Sequence, residues 1–308
     1  MSRTSNCARG VCGIFGNLPP NHYTYYFFLM PNLDDILAAK RHVVARAKAE
    51  ADLRVLEEKA ANHTPRGFRK RLAAMSQVGP AIIAELKKAS PSKGVIRGSF
   101  PVGSLANQLA KNGASALSVL TDEEFFHGSL TNLLEASAAT ELPCLRKDFI
   151  VDEFQIIEAR AHRADAVLLI LAALSDKDFH RYLARARELQ LDALCEVHDE
   201  DELKRALEGG AEIIGVNSRD LRTFEVKLDT LSELAPSIPN RILRVAESGI
   251  SSSREIGELH SYGYHAFLIG ETLMRASDPG KKLRQLLEET GSLPQFAIGS
   301  ASWRGTIH

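Results

Sequence analysis

After Pro80 the chain alternates between short apolar segments and longer segments with helical periodicity, and this alternation repeats eight times. Short apolar runs predict buried strands, and the segments between them predict helices. Eight βα units in about 210 residues are typical of a (β/α)8 barrel, the TIM barrel. The predicted strands are residues 81–86, 116–120, 144–146, 166–170, 193–197, 213–216, 242–246 and 266–269. The predicted helices between and after them are residues 104–111, 130–139, 154–161, 178–189, 200–207, 228–234, 253–262 and 280–288.

The other α/β architecture to consider is an open, doubly wound sheet. Such a sheet normally has a glycine-rich turn after its first strand, where a dinucleotide binds. Here the first strand is followed by Lys-Lys-Ala-Ser-Pro-Ser-Lys-Gly at 87–94, which does not have that glycine spacing. The sequence therefore predicts an α/β protein with a single (β/α)8 TIM barrel at residues 81–290.

Residues 30–80 predict an N-terminal helical extension of the barrel. Asn32 is a helix cap followed by acidic residues in the first turn, and apolar residues then recur on one face. The Thr-Pro-Arg-Gly sequence at 64–67 breaks this pattern, and Phe68, Leu72 and Met75 predict a second, shorter helix.

The two ends of the chain differ from the rest. No Asp or Glu occurs before Asp34, so residues 1–29 are predicted to be a disordered tail or the product of a start codon placed upstream of Met30. Residues 291–308 are predicted to be a C-terminal tail, and we expect no function for either end.

The composition excludes several classes of function. With 38 basic and 39 acidic side chains the chain has no overall positive field for nucleic acid, and its longest apolar run, residues 166–174, is too short to cross a membrane. Four cysteines are too few for a disulfide scaffold, which predicts a reduced, cytoplasmic protein. Cys7 and Cys12 lack a second Cys/His pair nearby, and the dinucleotide turn is missing, so we expect no metal and no cofactor.

Polar residues interrupt or follow the predicted strands at one end of the barrel, the end where barrels of this kind carry their active sites. They are Glu85, Lys87, Lys147, Glu196, Asn217, Glu247 and Ser248. Each alone is compatible with an ordinary solvated or paired charge. Glu196 is the exception, because a carboxylate inside a buried strand must be paired or used. Together the residues predict acid–base chemistry on an anionic substrate.

The protonation of the two lysines stays open at this point. A close approach of Lys87 and Lys147 lowers the pKa of at least one of them, whereas Glu85, Glu196 or Glu247 act in the opposite direction.

A phosphate site is predicted after the last two strands. Gly249 and Gly270 follow strands seven and eight, where the loops of many barrels bind phosphate through backbone N–H groups. The alternative is that both glycines only serve tight turns.

Four segments resemble the indole-3-glycerol phosphate synthase family over about residues 30–287. They are Ile-Ala-Glu-Leu-Lys-Lys-Ala-Ser-Pro-Ser-Lys-Gly at 83–94, Leu-Arg-Lys-Asp-Phe-Ile at 145–150, Gly-Val-Asn-Ser-Arg-Asp-Leu at 215–221 and Ala-Glu-Ser-Gly-Ile at 246–250. The resemblance implies a carboxy-lyase of tryptophan biosynthesis. Its substrate is then 1-(2-carboxyphenylamino)-1-deoxyribulose 5-phosphate, which undergoes ring closure, decarboxylation and dehydration to indole-3-glycerol phosphate.

The resemblance also implies roles for individual catalytic residues. Lys147 corresponds to the general acid for ring closure and Glu196 to its partner in proton transfer, while Lys87 is a second active-site lysine. Which lysine serves which step stays open. Glu85 positions both lysines, Asn217 hydrogen-bonds the reacting region, and Glu247 completes the polar ring.

The family's substrate contacts carry over in the same way. Arg219 corresponds to a residue that binds the anthranilate carboxylate, and Phe149 and Leu168 line a slot for the aromatic ring. Ser90, Ser248, Gly249 and Gly270 correspond to the phosphate cradle. The extension is expected to cover the substrate mouth.

Two other functions remain as alternatives. One is an isomerase barrel similar to phosphoribosylanthranilate isomerase, although Lys87 and Asn217 do not suit its acid and base. The other is a non-catalytic barrel that binds a phosphate ligand. The expected partner is a small anionic molecule, with no nucleic acid or membrane, and the expected assembly is a monomer or a weak homo-oligomer.

Overall fold

The computed structural model describes residues 32–220 and 223–291 and contains a closed barrel of eight parallel strands. The barrel strands are β1 (Ala81–Leu86), β2 (Ala116–Leu120), β3 (Cys144–Lys147), β4 (Ala166–Ile170), β5 (Asp192–Val197), β6 (Ile213–Asn217), β7 (Leu243–Glu247) and β8 (Ala266–Ile269). Each strand pairs with its sequence neighbours, and β1 closes the barrel by pairing with β8 as well as β2. The predicted TIM barrel is confirmed. The predictions for residues 1–29 and for the tail after Gly291 lie outside the described residues.

The predicted strands coincide with the observed ones to within one residue at each end. The differences at the carboxyl ends fall at Lys147, Asn217 and Glu247, because the parallel ladder continues into these polar residues. Lys147 pairs in register with Leu120, and Asn217 pairs with Glu247, so these residues form the last paired positions of their strands. An apolar run alone does not reveal that its polar successor is still in the strand.

Each barrel strand is buried on both faces, which explains why the strands are continuous apolar runs. In β1, Ile82 and Ala84 face outward into the layer between strands and helices, whereas Ala81 and Ile83 face the barrel interior. Glu85 is next on the inward face, because side chains alternate along a strand. The same period places a functional side chain above the interior apolar layers on several strands.

The barrel helices follow the predicted segments closely. They are α4 (Val102–Lys111), α5 (Leu130–Ala139), α6 (Phe154–Ala161), α7 (Asp176–Glu188), α8 (Glu200–Glu208), α9 (Asp229–Leu234), α10 (Ser253–Ser261), α11 (Glu271–Arg275) and α12 (Pro279–Glu289). The sequence did not predict α11, since five residues are too few to show a helical period. None of the helices in the described ranges is long and apolar enough to cross a membrane.

The N-terminal extension has three helices, α1 (Leu33–Glu50), α2 (Leu53–Ala61) and α3 (Phe68–Ser76). Asn32 forms a capping box with Asp35, which confirms the predicted helix start. The separate start of α2 was not predicted. Asp52 caps it by accepting hydrogen bonds from the backbone N–H groups of Arg54 and Val55.

The three helices of the extension lie at different places on the barrel, so the expectation that the whole extension covers the mouth is wrong. Lys40 of α1 pairs with Asp122 and Asp148, which follow β2 and β3, and α1 therefore lies at the mouth. At α3, the backbone N–H of Arg69 donates to Asp192, the first residue of β5, which places this helix at the opposite end. Helix α2 packs against α6 between them.

A buried carboxylate attaches the extension to the amino ends of the strands. Asp165, just before β4, accepts hydrogen bonds from the guanidinium of Arg66 and from the backbone N–H of Cys144 at 2.6 Å. His63 lies 3.2 Å from the same carboxylate. Next to this attachment, Phe68 and Leu72 of α3 are fully buried in the cluster that fills the barrel interior. Helix α3 therefore closes the amino end of the barrel.

Phe68→Ala should lower the free energy of unfolding by about 3–5 kcal/mol, because it opens a cavity beneath the barrel. Leu53→Ala is the matched control, since Leu53 is 52% exposed on α2. Denaturant unfolding followed by circular dichroism measures both variants. Equal stability of the two would contradict the closing role of α3.

Candidate active site

The ammonium of Lys147 lies between two carboxylates at the mouth of the barrel. Its Nζ is 2.9 Å from Oε2 of Glu196 and 3.6 Å from Oε2 of Glu247. The three residues stand near the ends of β3, β5 and β7, on inward-facing positions. Both carboxylate side chains are at most 2% exposed, whereas Lys147 retains 15% exposure at the mouth.

Two further residues orient the Glu196 carboxylate. The side-chain amide of Asn217 donates to Oε1 of Glu196 at 3.1 Å. Nε2 of His198 lies 3.4 Å from the same oxygen, and its Nδ1 is 3.0 Å from Glu202. With Lys147 on one oxygen and these two groups on the other, the carboxylate has a fixed position and points toward the mouth.

The charges around Lys147 decide the question that the sequence left open. Burial alone lowers the pKa of a lysine, but Glu196, Glu247 and Glu85 outweigh it and raise the pKa of Lys147 above its ordinary value. Burial likewise raises the pKa of Glu196, but the charges of Lys147 and His198 reverse this and hold it well below the usual range. Lys147 is therefore a protonated donor beside an ionised carboxylate at neutral pH.

Glu247 behaves differently from Glu196. Burial and the neighbouring charge of Glu196 raise the pKa of its carboxyl group, although Lys147 acts in the opposite direction. Its Oε1 is buried without a hydrogen-bond partner. Gly215 on β6 lies directly beneath it, and a Cβ at that position would overlap this oxygen. The sequence analysis missed the role of Gly215, because a glycine in an apolar strand gives no sign of a carboxylate above it.

Glu85 and Lys87 form a second ion pair on β1 and its extension, with Nζ and Oε1 2.8 Å apart. Glu85 is buried, while Lys87 is 17% exposed at the side chain. The Glu85 carboxyl also contributes to the raised pKa of Lys147. Gly270 after β8 has no room for a side chain, because a Cβ would overlap Oε1 of Glu85.

The predicted phosphate cradle lies in turns with unusual backbone conformations. Ser248 and Gly249 have φ values of 66° and 74°, in the left-handed region. A Cβ at Gly249 would also crowd Val226 and Leu228, at 2.7 and 2.8 Å. The glycine is thus required by local packing whether or not phosphate binds. Ser90 lies in a two-stranded hairpin (Ala89–Ser90 with Gly94–Val95), and the phosphate role of all four residues stays a prediction.

Arg219 and the two residues of the predicted aromatic slot each make contacts within the chain. The guanidinium of Arg219 donates to the backbone carbonyl of Phe224 at 2.9 Å, and its backbone N–H donates to Asn217. Phe149 and Leu168 are buried in the interior cluster, and the Phe149 ring centroid is 6.2 Å from that of Phe126. These binding roles remain predictions.

Sequence reasoning missed several charged residues around the mouth. His198 could have been found, because it stands two residues after Glu196 and therefore on the same side of the strand. Lys40 could not, since a lysine on an amphipathic helix normally faces solvent. Asp148 lies in the Leu-Arg-Lys-Asp-Phe-Ile segment at 145–150, but its contacts with other segments only become visible in the fold. Among the described residues, no group of three or more His, Cys, Asp or Glu is arranged to hold a metal.

A closed parallel barrel with lysines and carboxylates at the carboxyl ends of its strands defines a class of protein, the (β/α)8-barrel enzymes with acid–base chemistry at the mouth. Sequence comparison identifies the family. The sequence model of indole-3-glycerol phosphate synthase matches residues 33–286. The indole-3-glycerol phosphate synthase of Koribacter versatilis is 53% identical over 255 residues, which are 83% of this chain and 98% of that protein. Those of Burkholderia ambifaria and Polaromonas sp. are 47% and 46% identical, over 82% of this chain and 98% and 97% of theirs.

The chain therefore belongs to the indole-3-glycerol phosphate synthase family. It is a carboxy-lyase of tryptophan biosynthesis that binds a phosphorylated anionic substrate and converts it to indole-3-glycerol phosphate. The family assignment favours this function over the isomerase-like barrel and the non-catalytic binding barrel.

Two solved structures are similar to this chain in fold alone. Thiamine phosphate pyrophosphorylase from Pyrococcus furiosus aligns with a TM-score of 0.52 at 18% identity, covering 73% of this chain and 100% of that one. N-acetylmannosamine-6-phosphate 2-epimerase from Clostridium perfringens aligns with the same TM-score at 14% identity, covering 70% and 96%. Both comparisons support the barrel architecture.

Gly215→Ala should lower turnover ~10–100-fold, because the added methyl group displaces the Glu247 carboxylate from Lys147. The same crowding should cost about 1–3 kcal/mol of stability. Gly257→Ala on α10 is the matched control, since a Cβ there meets open space. Steady-state kinetics on both variants provides the test. Equal turnover would contradict the claim that the reaction needs the space that Gly215 leaves for the Glu247 carboxylate.

Glu247→Gln should change the pH dependence of stability. A folded carboxyl with a raised pKa stays protonated at pH values where the unfolded chain has lost that proton, so its contribution is greatest below the unfolded pKa and is lost as pH rises. The glutamine cannot ionise and escapes this loss. Denaturant unfolding from about pH 5 to about pH 8 should therefore show the variant gaining stability relative to the parent as pH rises. A difference independent of pH would contradict the raised pKa.

Proposed function

We propose that this chain carries out ring closure with Lys147 as the general acid and Glu196 as its proton-transfer partner. The observation that carries the proposal is the 2.9 Å ion pair between them at the barrel mouth. A protonated donor and an ionised acceptor, side by side and shielded from bulk water, are what an acid–base reaction on a bound substrate requires.

In the first step a ring carbon of the anthranilate group attacks the ribulose carbonyl. The new carbon–carbon bond uses an electron pair of the ring, and the carbonyl oxygen gains electron density as its double bond opens. Lys147 donates a proton to that oxygen, which becomes a hydroxyl group. The raised pKa of Lys147 ensures that the proton is present before the substrate arrives.

In the following steps the ring regains aromaticity and the hydroxyl leaves. The bond between the ring and its carboxylate breaks, carbon dioxide departs, and the bonding electrons return to the ring. Dehydration then removes a proton from the new five-membered ring and the hydroxyl group as water, with a base and an acid at the two positions. Glu196 supplies the base, while Lys147 or Lys87 supplies the acid.

The remaining residues of the mouth bind and orient the substrate. Glu85 positions Lys87 through their ion pair, and Lys87 contacts the anionic substrate. Asn217 hydrogen-bonds the reacting region, and Glu247 completes the polar ring beside Lys147.

Arg219 has a planar fork of donors suited to the anthranilate carboxylate. Phe149 and Leu168 flank the aromatic ring, while Ser90, Ser248, Gly249 and Gly270 bind the phosphate.

We also infer the cellular setting and the assembly of the enzyme. Cys144 and Cys195 are buried, unpaired thiols within barrel strands, which suits a reducing compartment. We therefore place the enzyme in the cytoplasm, and we propose that it works as a monomer or a weak homo-oligomer.

Lys147→Ala should reduce kcat by at least ~100-fold, because the reaction then lacks its proton donor at the carbonyl oxygen. Lys204→Ala is the matched control, since Lys204 is exposed on α8 and its side chain is 73% accessible. The assay follows indole absorbance and fluorescence with the carboxyphenylamino-deoxyribulose phosphate as substrate. Turnover of Lys147→Ala within twofold of the control would refute the assignment of the general acid.

A further inference from the structure

Lys40 is a buried lysine that belongs to the extension and not to the barrel. It lies on α1, its side chain is 8% exposed, and its Nζ is 2.6 Å from Oδ2 of Asp122 and 2.7 Å from Oδ1 of Asp148. Asp122 follows β2, and Asp148 follows β3. One ammonium group therefore joins α1 to the ends of two neighbouring strands at the mouth.

The Asp148 carboxylate is bound on every side. Besides Lys40, it accepts hydrogen bonds from Thr121 at 2.7 Å, from Arg146 at 3.0 Å and from the backbone N–H of Phe149 at 2.9 Å. Asp148 is also the residue that immediately follows Lys147. The contacts at Asp148 thus fix the backbone on which the general acid stands.

The Asp122 carboxylate fixes a second part of the mouth. It accepts a hydrogen bond from the backbone N–H of Phe125 at 2.7 Å and so shapes the loop after β2. The next residue, Phe126, packs against Phe149 in the predicted aromatic slot. Lys40 is therefore connected both to the acid and to the side of the mouth where the aromatic ring is predicted to bind.

A buried lysine between two carboxylates is an expensive way to attach a helix. Desolvation of the three charges opposes their pairing, and apolar residues of similar size often attach a helix equally well. Burial lowers the pKa of Lys40, but Asp148 and Asp122 outweigh it and keep the group charged. Two residues before the end of α1, Lys48 forms an exposed pair with Asp152 that attaches the same helix without this cost. The buried arrangement therefore suggests a task beyond attachment.

We propose that Lys40 is a positioning residue of the active site, which holds the Lys147 ammonium at its place in the mouth through Asp148. This proposal rests on the proposed function of Lys147 as the general acid. The helix of the extension thereby takes part in the reaction, although it does not supply a group that touches the substrate.

Lys40→Met tests the proposal, because methionine keeps most of the side-chain volume and removes the charge. We expect kcat to fall ~10–100-fold per folded molecule, with a smaller change in KM, since a displaced acid impairs the chemical step more than binding. Lys48→Met on the same helix is the matched control and should keep its kcat within twofold of the parent. The folded fraction of each sample is measured by circular dichroism before the kinetic assay.

A second variant keeps the test decisive if Lys40→Met does not fold. Lys40→Met combined with Asp122→Asn removes one charge of each sign, while Arg146 remains on Asp148. This pair of changes should restore folding but leave kcat low, because nothing then attaches Asp148 to α1. If Lys40 had a purely structural role, kcat would instead be normal once folding is restored.

The outcomes separate this proposal from the assignment of the acid. A kcat of the folded Lys40 variants within twofold of Lys48→Met overturns the positioning role, even if Lys147→Ala is inactive. Normal turnover of Lys147→Ala overturns the assignment of the acid itself. Low kcat in both the Lys40 and Lys147 variants, with an unaffected Lys48 variant, supports both.

Discussion

The ion pair between Lys147 and Glu196 is the interaction on which the rest of the site depends. Both groups are largely shielded from bulk water, so each needs the other to remain charged. Removal of either side chain would leave the other as an uncompensated buried charge. The surrounding residues act on this pair. Asn217 and His198 fix the Glu196 carboxylate, while Glu247 adds a second acceptor beside the lysine. The result is a proton donor and a proton acceptor that are both set for reaction at neutral pH.

The barrel provides this pair by simple geometry. Side chains alternate along every strand, and the inward-facing side chains of alternate strands form one layer of the barrel. Lys147, Glu196 and Glu247 come from the alternate strands β3, β5 and β7. Apolar residues fill the interior below, and glycines provide space where a carboxylate needs it, as Gly215 does for Glu247. The extension completes the structure at both ends. Helix α3 closes the amino end with Phe68, and α1 reaches the mouth with Lys40.

Much of this could be predicted from the sequence, because the barrel has a strong local signal. Eight apolar runs separated by helical segments define the fold, and strand-end positions identify the charged residues of the mouth. Contacts between distant segments could not be predicted. Lys40 is far from Asp148 in sequence and has the pattern of a solvent-facing lysine. The direction of the pKa shift of Lys147 also required the structure, since it depends on whether the nearest charges are carboxylates or Lys87. The placement of α1 at the mouth and α3 at the amino end could not be predicted for the same reason, since it depends on contacts with distant segments.

The most direct test of this account is the protonation state of Lys147 in the resting enzyme. Lysine labelled with 13C at Cε gives one signal for each side chain, and the signal missing from Lys147→Arg identifies Lys147. As pH rises, the account predicts that Lys147 remains an ammonium at about pH 10.5, where exposed lysines lose half of their protons. A Lys147 signal that titrates below about pH 9 would contradict it, because the lysine would then lose its proton before exposed lysines do.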